Sequence, residues 1–302
     1  MSRLDGKVAY ITGGARGQGA SHARAFAREG ADIVILDACA DVDTVRYPLA
    51  TRSDLDAVAD DVRALGRRCI AEIADVRDQA QLDAVTEKAL AELGQIDIVI
   101  PNAGIQGVAN FWEMSEEQWD DMIAINQTGV WKTAKSTAPS MIERQSGCVI
   151  LIGSMNSLEG MPEYCHYVAA KHAVLGLSKA FALELGPHNV RVNVIMPGVI
   201  DTPLLDNDIN RDWIAGFKGA DHDDADAAVR NWSILKGSGL LPAQAISDAA
   251  IWLASDEARY VHGAQIVVDA GHMTLPGFNH APVHPAGFPR RAHEGYNPYK
   301  HA

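Results

Sequence analysis

Short apolar runs alternate with longer amphipathic segments over most of the chain. Apolar runs bounded by glycine or charged residues indicate buried strands, and apolar positions that recur every three or four residues indicate helices. This alternation predicts an α/β fold, a doubly wound parallel sheet of about seven strands with helices on both faces. The predicted strands are 7–12, 31–37, 68–74, 96–100, 148–152, 190–196 and 265–268. The predicted helices are 19–29, 53–65, 79–93, one that begins at a capping box on Ser115, 164–185 and 243–254.

We expect residues 1–271 to form a single domain, because neither a linker nor an internal repeat interrupts this alternation. Three stretches lack a clear pattern: 38–52, 202–240 and the C-terminal extension 272–302. Long loops in compact domains are usually functional or disordered. The first two stretches are therefore candidates for parts of a binding site.

A glycine-rich turn from Thr12 to Gly19 joins the first predicted strand to the first helix. Glycines let the backbone approach a pyrophosphate closely, and the helix N-terminus offers it free N–H groups. An ordinary tight turn also uses glycines, but the strand before and the helix after are what a dinucleotide site requires. Asp37, at the end of the second strand, is placed to bind the adenosine ribose. These features predict a Rossmann-type fold with a dinucleotide cofactor.

The charged residues at this site bear on which dinucleotide binds. Asp37 favours NAD, because a carboxylate there repels the additional phosphate of NADP. Arg16 argues the other way, since a cation in the loop can meet that phosphate. Either residue can instead be a solvated surface charge. We expect NAD, because the contact between Asp37 and the ribose is direct.

Tyr167 and Lys171 are candidates for proton transfer. Their i, i+4 spacing in a predicted helix places the phenol and the ammonium on one face. A free tyrosine titrates near about 10, and a nearby positive charge lowers that pKa. Tyr164 is a weaker candidate, because no cation follows it at the same spacing. Ser154 ends the fifth strand, at the sheet edge where ligands bind in open α/β folds, so its hydroxyl can hold a substrate carbonyl.

Asn126 lies within the helix that begins at Ser115. Asparagine is a poor helix former, and Gly129 follows it closely, so we expect a local distortion of that helix. The alternative is an ordinary buried polar residue whose hydrogen bonds are satisfied.

Together these motifs resemble the short-chain dehydrogenase/reductase family over about residues 4–271. One departure is Pro101, where members often carry a second asparagine. The matching motifs, in family order, are T-G-x-x-x-G-x-G (12–19), N-A-G (102–104), Asn126, Ser154, Tyr167-x-x-x-Lys171 and Pro197-Gly198.

The resemblance implies a role for each catalytic residue. Tyr167 donates or accepts the proton, while Lys171 lowers its pKa and binds the nicotinamide ribose. Ser154 positions the carbonyl, and Asn126 holds a water in the proton relay that leads from Lys171.

The resemblance also implies a set of cofactor contacts. Asp75 and Val76 flank the adenine, residues 102–104 contact the middle of the cofactor, and residues 197–202 hold the nicotinamide carboxamide. The full set is Gly13, Arg16, Gly17, Gln18, Gly19, Asp37, Asp75, Val76, Asn102, Ala103, Gly104, Tyr167, Lys171, Pro197, Gly198, Val199, Ile200 and Thr202.

The passage 37–55, with Asp43-Thr44-Val45 and the run 47–51, supports a narrower likeness. With 16–19 and Ser21-His22, it resembles the mycofactocin-associated, carveol dehydrogenase-like subgroup. This likeness implies a redox peptide, mycofactocin, as a partner. The stretch 38–52 within it is longer than a strand-to-helix connection needs and mixes apolar with charged residues. We therefore expect it to fold over the adenine end of NAD and to slow cofactor release, although a surface elaboration with no contact to NAD is the alternative.

An apolar stripe follows Thr202, with Leu205, Ile209, Trp213 and Phe217 at four-residue spacing. The resemblance makes the stretch 202–240 a lid over the substrate, whereas the spacing alone equally fits a stripe packed on the core. A lid of this composition implies an apolar, cyclic or aromatic substrate. Candidate pocket residues are Gln106, Trp112, Asn156, Met161, Val199, Trp213 and Phe217.

Charge and cysteine content narrow the remaining classes. The formal net charge of −13 disfavours nucleic-acid and membrane partners. The four cysteines lie far apart, which suggests neither disulfides nor a zinc site. Prolines separate the histidines of the 272–302 extension, so we expect no metal there. Neither a signal peptide nor a membrane span is evident, and we expect a cytoplasmic protein.

The sequence therefore predicts an NAD-dependent oxidoreductase that interconverts a secondary alcohol and a ketone, on an apolar, terpenoid-like ring. The alternatives are a hydroxysteroid or 3-oxoacyl reductase and, in another class, a non-catalytic NAD-sensing module. A sensor needs no proton relay, so the intact catalytic set argues against it. The resemblance implies a homotetramer, with the extension docked on a neighbouring subunit.

Overall fold

A computed structural model describes residues 2–275. The extension, which we expected to dock on a neighbouring subunit, lies outside the described residues from residue 276 onward. The strands are β1 Val8–Thr12, β2 Asp32–Asp37, β3 Cys69–Ile73, β4 Ile98–Ile100, β5 Gly147–Ile152, β6 Val190–Pro197, β7 Ile200–Asp201, β8 Leu241–Pro242 and β9 Gln265–Val268. The α-helices are α1 Gly17–Arg28, α2 Arg52–Ala64, α3 Gln79–Leu93, α4 Glu116–Ile123, α5 Gly129–Arg144, α6 Cys165–Leu185, α7 Asp208–Ala215, α8 His222–Val229 and α9 Ala243–Ala254.

Seven strands form one parallel sheet in the order β3-β2-β1-β4-β5-β6-β9, which confirms the predicted doubly wound fold. All five residues of β1 are buried, as expected for a central strand covered by helices on both faces. The strand order reverses between β1 and β4. In doubly wound sheets the ligand crevice lies at this reversal, beyond the carboxyl ends of the strands.

The two faces of the sheet carry separate apolar cores. Alternate strand residues point to opposite faces, so that Ile11 and Ile33 lie in one core while Tyr10 and Val34 lie in the other. The first core packs against α1, α2 and α9, and the second against α3, α5 and α6. The sheet edge at the crevice is therefore held rigidly from both sides.

The helix that begins at Ser115 is interrupted where the sequence predicted a distortion. Ser115 and Gln118 form the expected capping box, and α4 then passes into a π-helical turn at Ala124–Thr128 before α5. π-Turns inside α-helices are rare and often occur at functional sites. Asn126 lies in this turn.

The stretch 202–240 contains α7 and α8, which lie outside the sheet. Their apolar residues form a small core of their own with Met155 and Val199. The short parallel pair β7-β8 joins the two ends of this stretch to each other. Among residues 2–275, no helix is long and apolar enough to cross a membrane. The same residues contain no group of three or more His, Cys, Asp or Glu side chains suited to a metal ion.

Candidate active site

A cavity of about 210 Å³ opens at the carboxyl ends of the central strands. It brings together all four predicted catalytic residues and every predicted cofactor residue except Gly19. Three buried polar atoms of residues in its wall, Gln18 Oε1, Gln106 Oε1 and Asn156 Nδ2, lack a hydrogen-bond partner among residues 2–275. Buried polar groups are normally paired, so these atoms are available to a bound molecule.

Backbone close contacts shape the glycine-rich turn. Gly13 has a positive φ of 65°, and a β-carbon there would lie 2.7 Å from the Ala103 Cα. A β-carbon on Gly19 would overlap the Gly13 carbonyl oxygen, so Gly19 is needed to pack the start of α1 against the turn rather than to line the cavity. The Asn102 amide braces the turn by donating to the carbonyls of Thr12 (3.0 Å) and Gly13 (3.2 Å). The turn is thus a preformed cradle.

Asp37 ends β2 and faces the cavity. Its carboxylate accepts hydrogen bonds from the Ala15 and Cys39 backbone N–H groups, at 3.3 and 3.2 Å. Burial raises the pKa of Asp37 above its usual range, while these N–H groups and the charge of Arg16 act against that rise. The carboxylate is therefore oriented by the backbone on one side and open to the cavity on the other.

Arg16 is already engaged. Its guanidinium donates to the Pro48 carbonyl at 2.6 Å and lies over the Tyr47 ring, 5.9 Å from the ring centroid. A cation held in this way is not free to meet the additional phosphate of NADP. The sequence left Asp37, which favours NAD, against Arg16, which favours NADP. These contacts of Arg16 weaken the argument for NADP.

The stretch 38–52 packs along the cavity. The Tyr47 hydroxyl accepts a hydrogen bond from the Gln106 N–H at 3.1 Å, and Thr44 donates to Asp121 of α4 at 2.8 Å. Both contacts fix the stretch to the far side of the crevice. The residues of this stretch that line the cavity are Ala38, Ala40, Val42, Tyr47, Leu49 and Ala50.

Tyr167 and Lys171 both project from α6 into the cavity. The Lys171 ammonium donates to the Ile152 carbonyl at 2.9 Å and lies over the Tyr167 ring, 5.6 Å from its centroid. Burial lowers the pKa of Lys171 to about 8. Burial also raises the pKa of Tyr167, and a hydrogen bond with Ser154 acts against that rise. Burial therefore sets the direction of this shift, which is opposite to the lowering of the Tyr167 pKa by Lys171 that the resemblance implied.

Ser154 follows β5 and caps a short turn. Its hydroxyl accepts from the Asn156 N–H at 3.1 Å, and its own N–H donates to Ser157 Oγ at 3.1 Å. Ser157 in turn donates to the Lys171 carbonyl at 2.8 Å. Ser157 thus connects the Ser154 turn to α6, a role that was not predicted, although the Ser-x-x-Ser spacing is a capping pattern.

The Asn126 side chain braces the neighbouring loop. Its amide oxygen accepts from the Ile105 N–H, and its amide nitrogen donates to the Ile105 carbonyl, both at 2.8 Å. Asn126 is fully buried. The amide therefore holds the loop after the N-A-G motif, and the π-turn presents the Asn126 side chain to that loop.

Five of the seven predicted pocket residues line the cavity, and two do not. Trp112 is 66% exposed on the surface. Phe217 is buried elsewhere, with Ala215 and Ala220. Its placement was mispredicted because Gly216 adopts a positive φ of 79° and ends α7, so the helical spacing does not continue. The five that line the cavity are Gln106, Asn156, Met161, Val199 and Trp213.

The apolar stripe is neither wholly lid nor wholly core. Leu205 and Trp213 line the cavity, whereas Ile209 lines a small neighbouring one. Two further aromatic residues of the cavity wall, Tyr164 and Trp232, were missing from the predicted pocket. No periodic pattern identified Trp232, because it lies in a single short turn after α8.

Tyr164 is not available for acid–base chemistry. Its hydroxyl donates to Asn210 Oδ1 at 2.9 Å, and burial raises its pKa far above the usual range. Its ring packs edge to face with Tyr167, with centroids 6.4 Å apart. Tyr164 therefore supports Tyr167 and the lid, and of these two phenols Tyr167 is the one with a cation beside it.

Comparisons with known proteins agree with this geometry. Residues 7–212 match the family model described as short chain dehydrogenase. A (−)-trans-carveol dehydrogenase of Rhodococcus erythropolis is 42% identical over 90% of this chain and 99% of its own. The crystal structure of a carveol dehydrogenase from Mycobacterium avium in complex with NAD superposes with a TM-score of 0.88, at 38% identity, over 91% of this chain and 100% of its own. A short chain dehydrogenase from Mycobacterium paratuberculosis, solved bound to NAD, gives a TM-score of 0.80 at 37% identity, over 90% and 100%.

Proposed function

The chain belongs to the short-chain dehydrogenase family, and on that premise we propose that it is an NAD-dependent dehydrogenase of apolar, cyclic secondary alcohols. The observation that carries the proposal is one cavity whose wall contains the catalytic set, the glycine cradle and several aromatic residues. Ser154, Tyr167 and Lys171 line the same cavity as the cradle and the aromatic residues. Hydride transfer and proton transfer can therefore take place at a single substrate carbon and its oxygen.

The residues at the cradle fit NAD. Gly13 and Gly19 leave room where side chains would fill the turn, and Asp37 faces the cavity with its carboxylate oriented by backbone N–H groups. The Arg16 cation is held by Pro48 and Tyr47. When bound, NAD supplies the hydride acceptor and a positive charge near Tyr167.

The protein's own residues manage the proton. Ser154 holds the substrate oxygen by a hydrogen bond, and Tyr167 as the phenolate accepts the hydroxyl proton of the alcohol, or as the phenol donates it in the reverse direction. Lys171 is held by the Ile152 carbonyl, and its pKa of about 8 leaves it mostly protonated at neutral pH. Both polar groups of the Asn126 side chain bind the Ile105 backbone and so brace the loop beside this group. We propose that the relay water implied by the resemblance binds next to this residue.

The composition of the wall supports the substrate class. The cavity wall includes Trp213, Trp232, Met161 and Leu205, and aromatic and aliphatic walls favour apolar rings. The relative named (−)-trans-carveol dehydrogenase acts, by its name, on a cyclic terpenoid alcohol. We extend that class, but not one compound, to this protein.

Turnover with a panel of alcohols tests the proposal. Purified protein with NAD is given carveol, cyclohexanol, a hydroxysteroid and a 3-hydroxyacyl thioester, and NADH formation is followed at 340 nm. Carveol or cyclohexanol should give the highest kcat/KM. Preference for the steroid or the thioester would reassign the substrate, and binding of NAD without turnover of any alcohol would favour the sensing module.

We propose further that the stretch 38–52 keeps NAD in place between turnovers, so that an external carrier such as mycofactocin re-oxidises it. The support is its position: it lines the cavity beside Asp37 and is fixed across the crevice by Tyr47. Bound nucleotide in protein purified without added cofactor is the expected result. The alternative remains a surface elaboration without contact to NAD.

We also propose a homotetramer. Large apolar side chains remain exposed on the outer helices, including Trp119 of α4, Trp131 of α5 and Leu183 of α6. Apolar patches of this kind commonly mark association surfaces. Light scattering coupled to size-exclusion chromatography measures the mass directly, and a monomer at micromolar concentration would contradict the proposal.

A further inference from the structure

One loop binds the lid at two points and the end of the described chain at a third. The loop 158–164, which we call the clasp loop, joins the Ser154 turn to the catalytic helix α6. Glu159 Oε1 lies 2.9 Å from His272 Nε2, at the end of the described chain. Glu163 and Tyr164 bind α7: the carboxylate of Glu163 accepts the Trp213 indole N–H at 2.7 Å, and Tyr164 donates to Asn210. The clasp loop thus connects the lid directly to the residues that carry out the chemistry.

Glu163 is unusual in both backbone and side chain. It is a non-glycine residue with a φ of 65°, a conformation that costs free energy and persists only where the surroundings enforce it. Its carbonyl accepts from the Ala109 N–H at 2.9 Å, and only 8% of the residue is exposed. A buried carboxylate fixed by its own backbone is a rigid acceptor, and the Trp213 indole N–H points at it.

The position of the Trp213 ring matters for the substrate. The ring lines the cavity and packs edge to face with Tyr164, with centroids 5.0 Å apart. Trp232 packs against its other side, at 6.3 Å. Because Tyr164 also packs on Tyr167, the indole plane is held at a defined place relative to the reacting phenol.

We propose that Glu163 is a specificity-determining positioning residue: by holding the Trp213 indole N–H, it fixes that ring as the wall against which the ring of a cyclic alcohol packs. This inference rests on the proposed dehydrogenase function. A hydrogen bond to an ionised acceptor is short and strong, so it selects one orientation of the indole among several rotamers. A small open-chain alcohol reaches Ser154 and Tyr167 without the wall, and its binding does not depend on that orientation.

The test compares Glu163→Met, which removes the acceptor, with Glu163→Gln, which keeps one. Glu184→Met, on the exposed side of α6, is the matched control. For carveol, Glu163→Met should raise KM about tenfold with kcat within about twofold, as expected for one lost charge-assisted hydrogen bond. KM for 2-butanol should not change. Glu163→Gln keeps a neutral acceptor, so its KM for carveol should lie between those of the wild type and Glu163→Met, with KM for 2-butanol unchanged.

A double-mutant cycle with Trp213→Phe, which removes the N–H and keeps a ring, isolates the pair. Glu163→Met combined with Trp213→Phe should be no worse for carveol than the worse single variant, because one interaction is lost only once. Additive effects, an equal rise of KM for both alcohols, or a Glu163→Gln as impaired as Glu163→Met would each overturn the proposal. If Glu163→Met fails to fold, Trp213→Phe and Glu163→Gln still decide it through the same alcohol comparison.

Calorimetric binding of carvone separates this inference from the proposed function. If the wild type binds carvone but oxidises no alcohol, the proposed dehydrogenase function is wrong. The role of Glu163 is then still tested by whether Glu163→Met binds carvone more weakly than the wild type. A wild type that binds neither carveol nor carvone would overturn the inference together with the substrate class.

Discussion

In the cofactor half of the cavity the backbone does most of the positioning, whereas in the substrate half side chains do it. The cradle depends on close backbone contacts at Gly13 and Gly19 and on N–H groups that orient Asp37. The lid instead depends on hydrogen bonds between side chains, such as Glu163 to Trp213 and Tyr164 to Asn210. Backbone-made sites tolerate change at few positions. Sites made of side chains can be altered one residue at a time, so we expect the two halves to respond differently to substitution.

The largest effect is expected where the halves meet. Tyr167→Phe removes only the hydroxyl, so NAD and alcohol should still bind while kcat falls by about 10²–10⁴-fold, the usual contribution of general acid–base catalysis. Single-turnover rates and NAD affinity by calorimetry measure the two quantities separately. Tyr164→Phe is the control, since its hydroxyl serves the lid, and it should retain most of kcat. Near-normal turnover by Tyr167→Phe would show that another group transfers the proton.

The cofactor half should fail at a glycine. Gly19→Ala places a methyl group against the Gly13 carbonyl oxygen. Neither this oxygen nor the α-carbon that carries the methyl can move without the backbone, so the turn must open. We expect NAD affinity to fall by more than about tenfold, the effect of a 1.4 kcal/mol loss, with the carvone site unaffected. Gly176→Ala in α6 meets no atom within 4 Å and is the matched control. A Gly19→Ala variant with wild-type NAD affinity would mean that the turn is not a tight cradle.

A smaller effect is expected from the ribose contact. Asp37→Ala removes the carboxylate that repels the additional phosphate of NADP, so the ratio of kcat/KM for NAD over NADP should narrow by about tenfold. Because Arg16 remains bound to Pro48, we expect the change to come mainly from a loss with NAD. A wild type that turns over faster with NADP at low concentration would contradict the assignment of Asp37.

The smallest effect is expected at the stretch 38–52. Tyr47→Phe removes the hydroxyl that accepts from the Gln106 N–H and leaves the ring under Arg16. One neutral hydrogen bond contributes about 0.5–1.5 kcal/mol, so NAD should leave roughly two- to tenfold faster. Stopped-flow exchange against labelled NAD measures that rate. An unchanged rate, with wild-type protein that is empty when purified, would favour the surface elaboration.

Most residues that line the cofactor half could be predicted from the sequence, because they belong to motifs with recognisable spacing. Asn126 was even placed in a distorted helix from propensity alone, and the π-turn confirms it. The substrate half was read less well. Phe217 was placed in the pocket because periodicity does not report where a helix ends at a left-handed glycine such as Gly216. Trp232 was missed because it lies in a short turn.

The roles of Glu163 and Ser157 could not be predicted from the sequence either, for a physical reason. Each acts through a partner far along the chain: Glu163 through Trp213, and Ser157 through the backbone of Lys171. Spacing rules describe neighbours within one element, whereas tertiary packing decides these contacts. A carboxylate among apolar residues is a weak signal until its partner is known.

The clasp loop also sets which segments of the molecule can be exchanged between relatives. The lid 202–240 and the loop 158–164 form a matched pair, since Trp213 and Asn210 each find their partner in that loop. A chimera whose new lid lacks counterparts of Trp213 and Asn210 would leave a buried carboxylate and a buried phenol without partners, whereas one that takes both segments together avoids this mismatch. We therefore expect a change of substrate range to require the loop 158–164 and the lid 202–240 to be transferred together, although they are separate in the sequence. The cradle at 12–19 need not be exchanged.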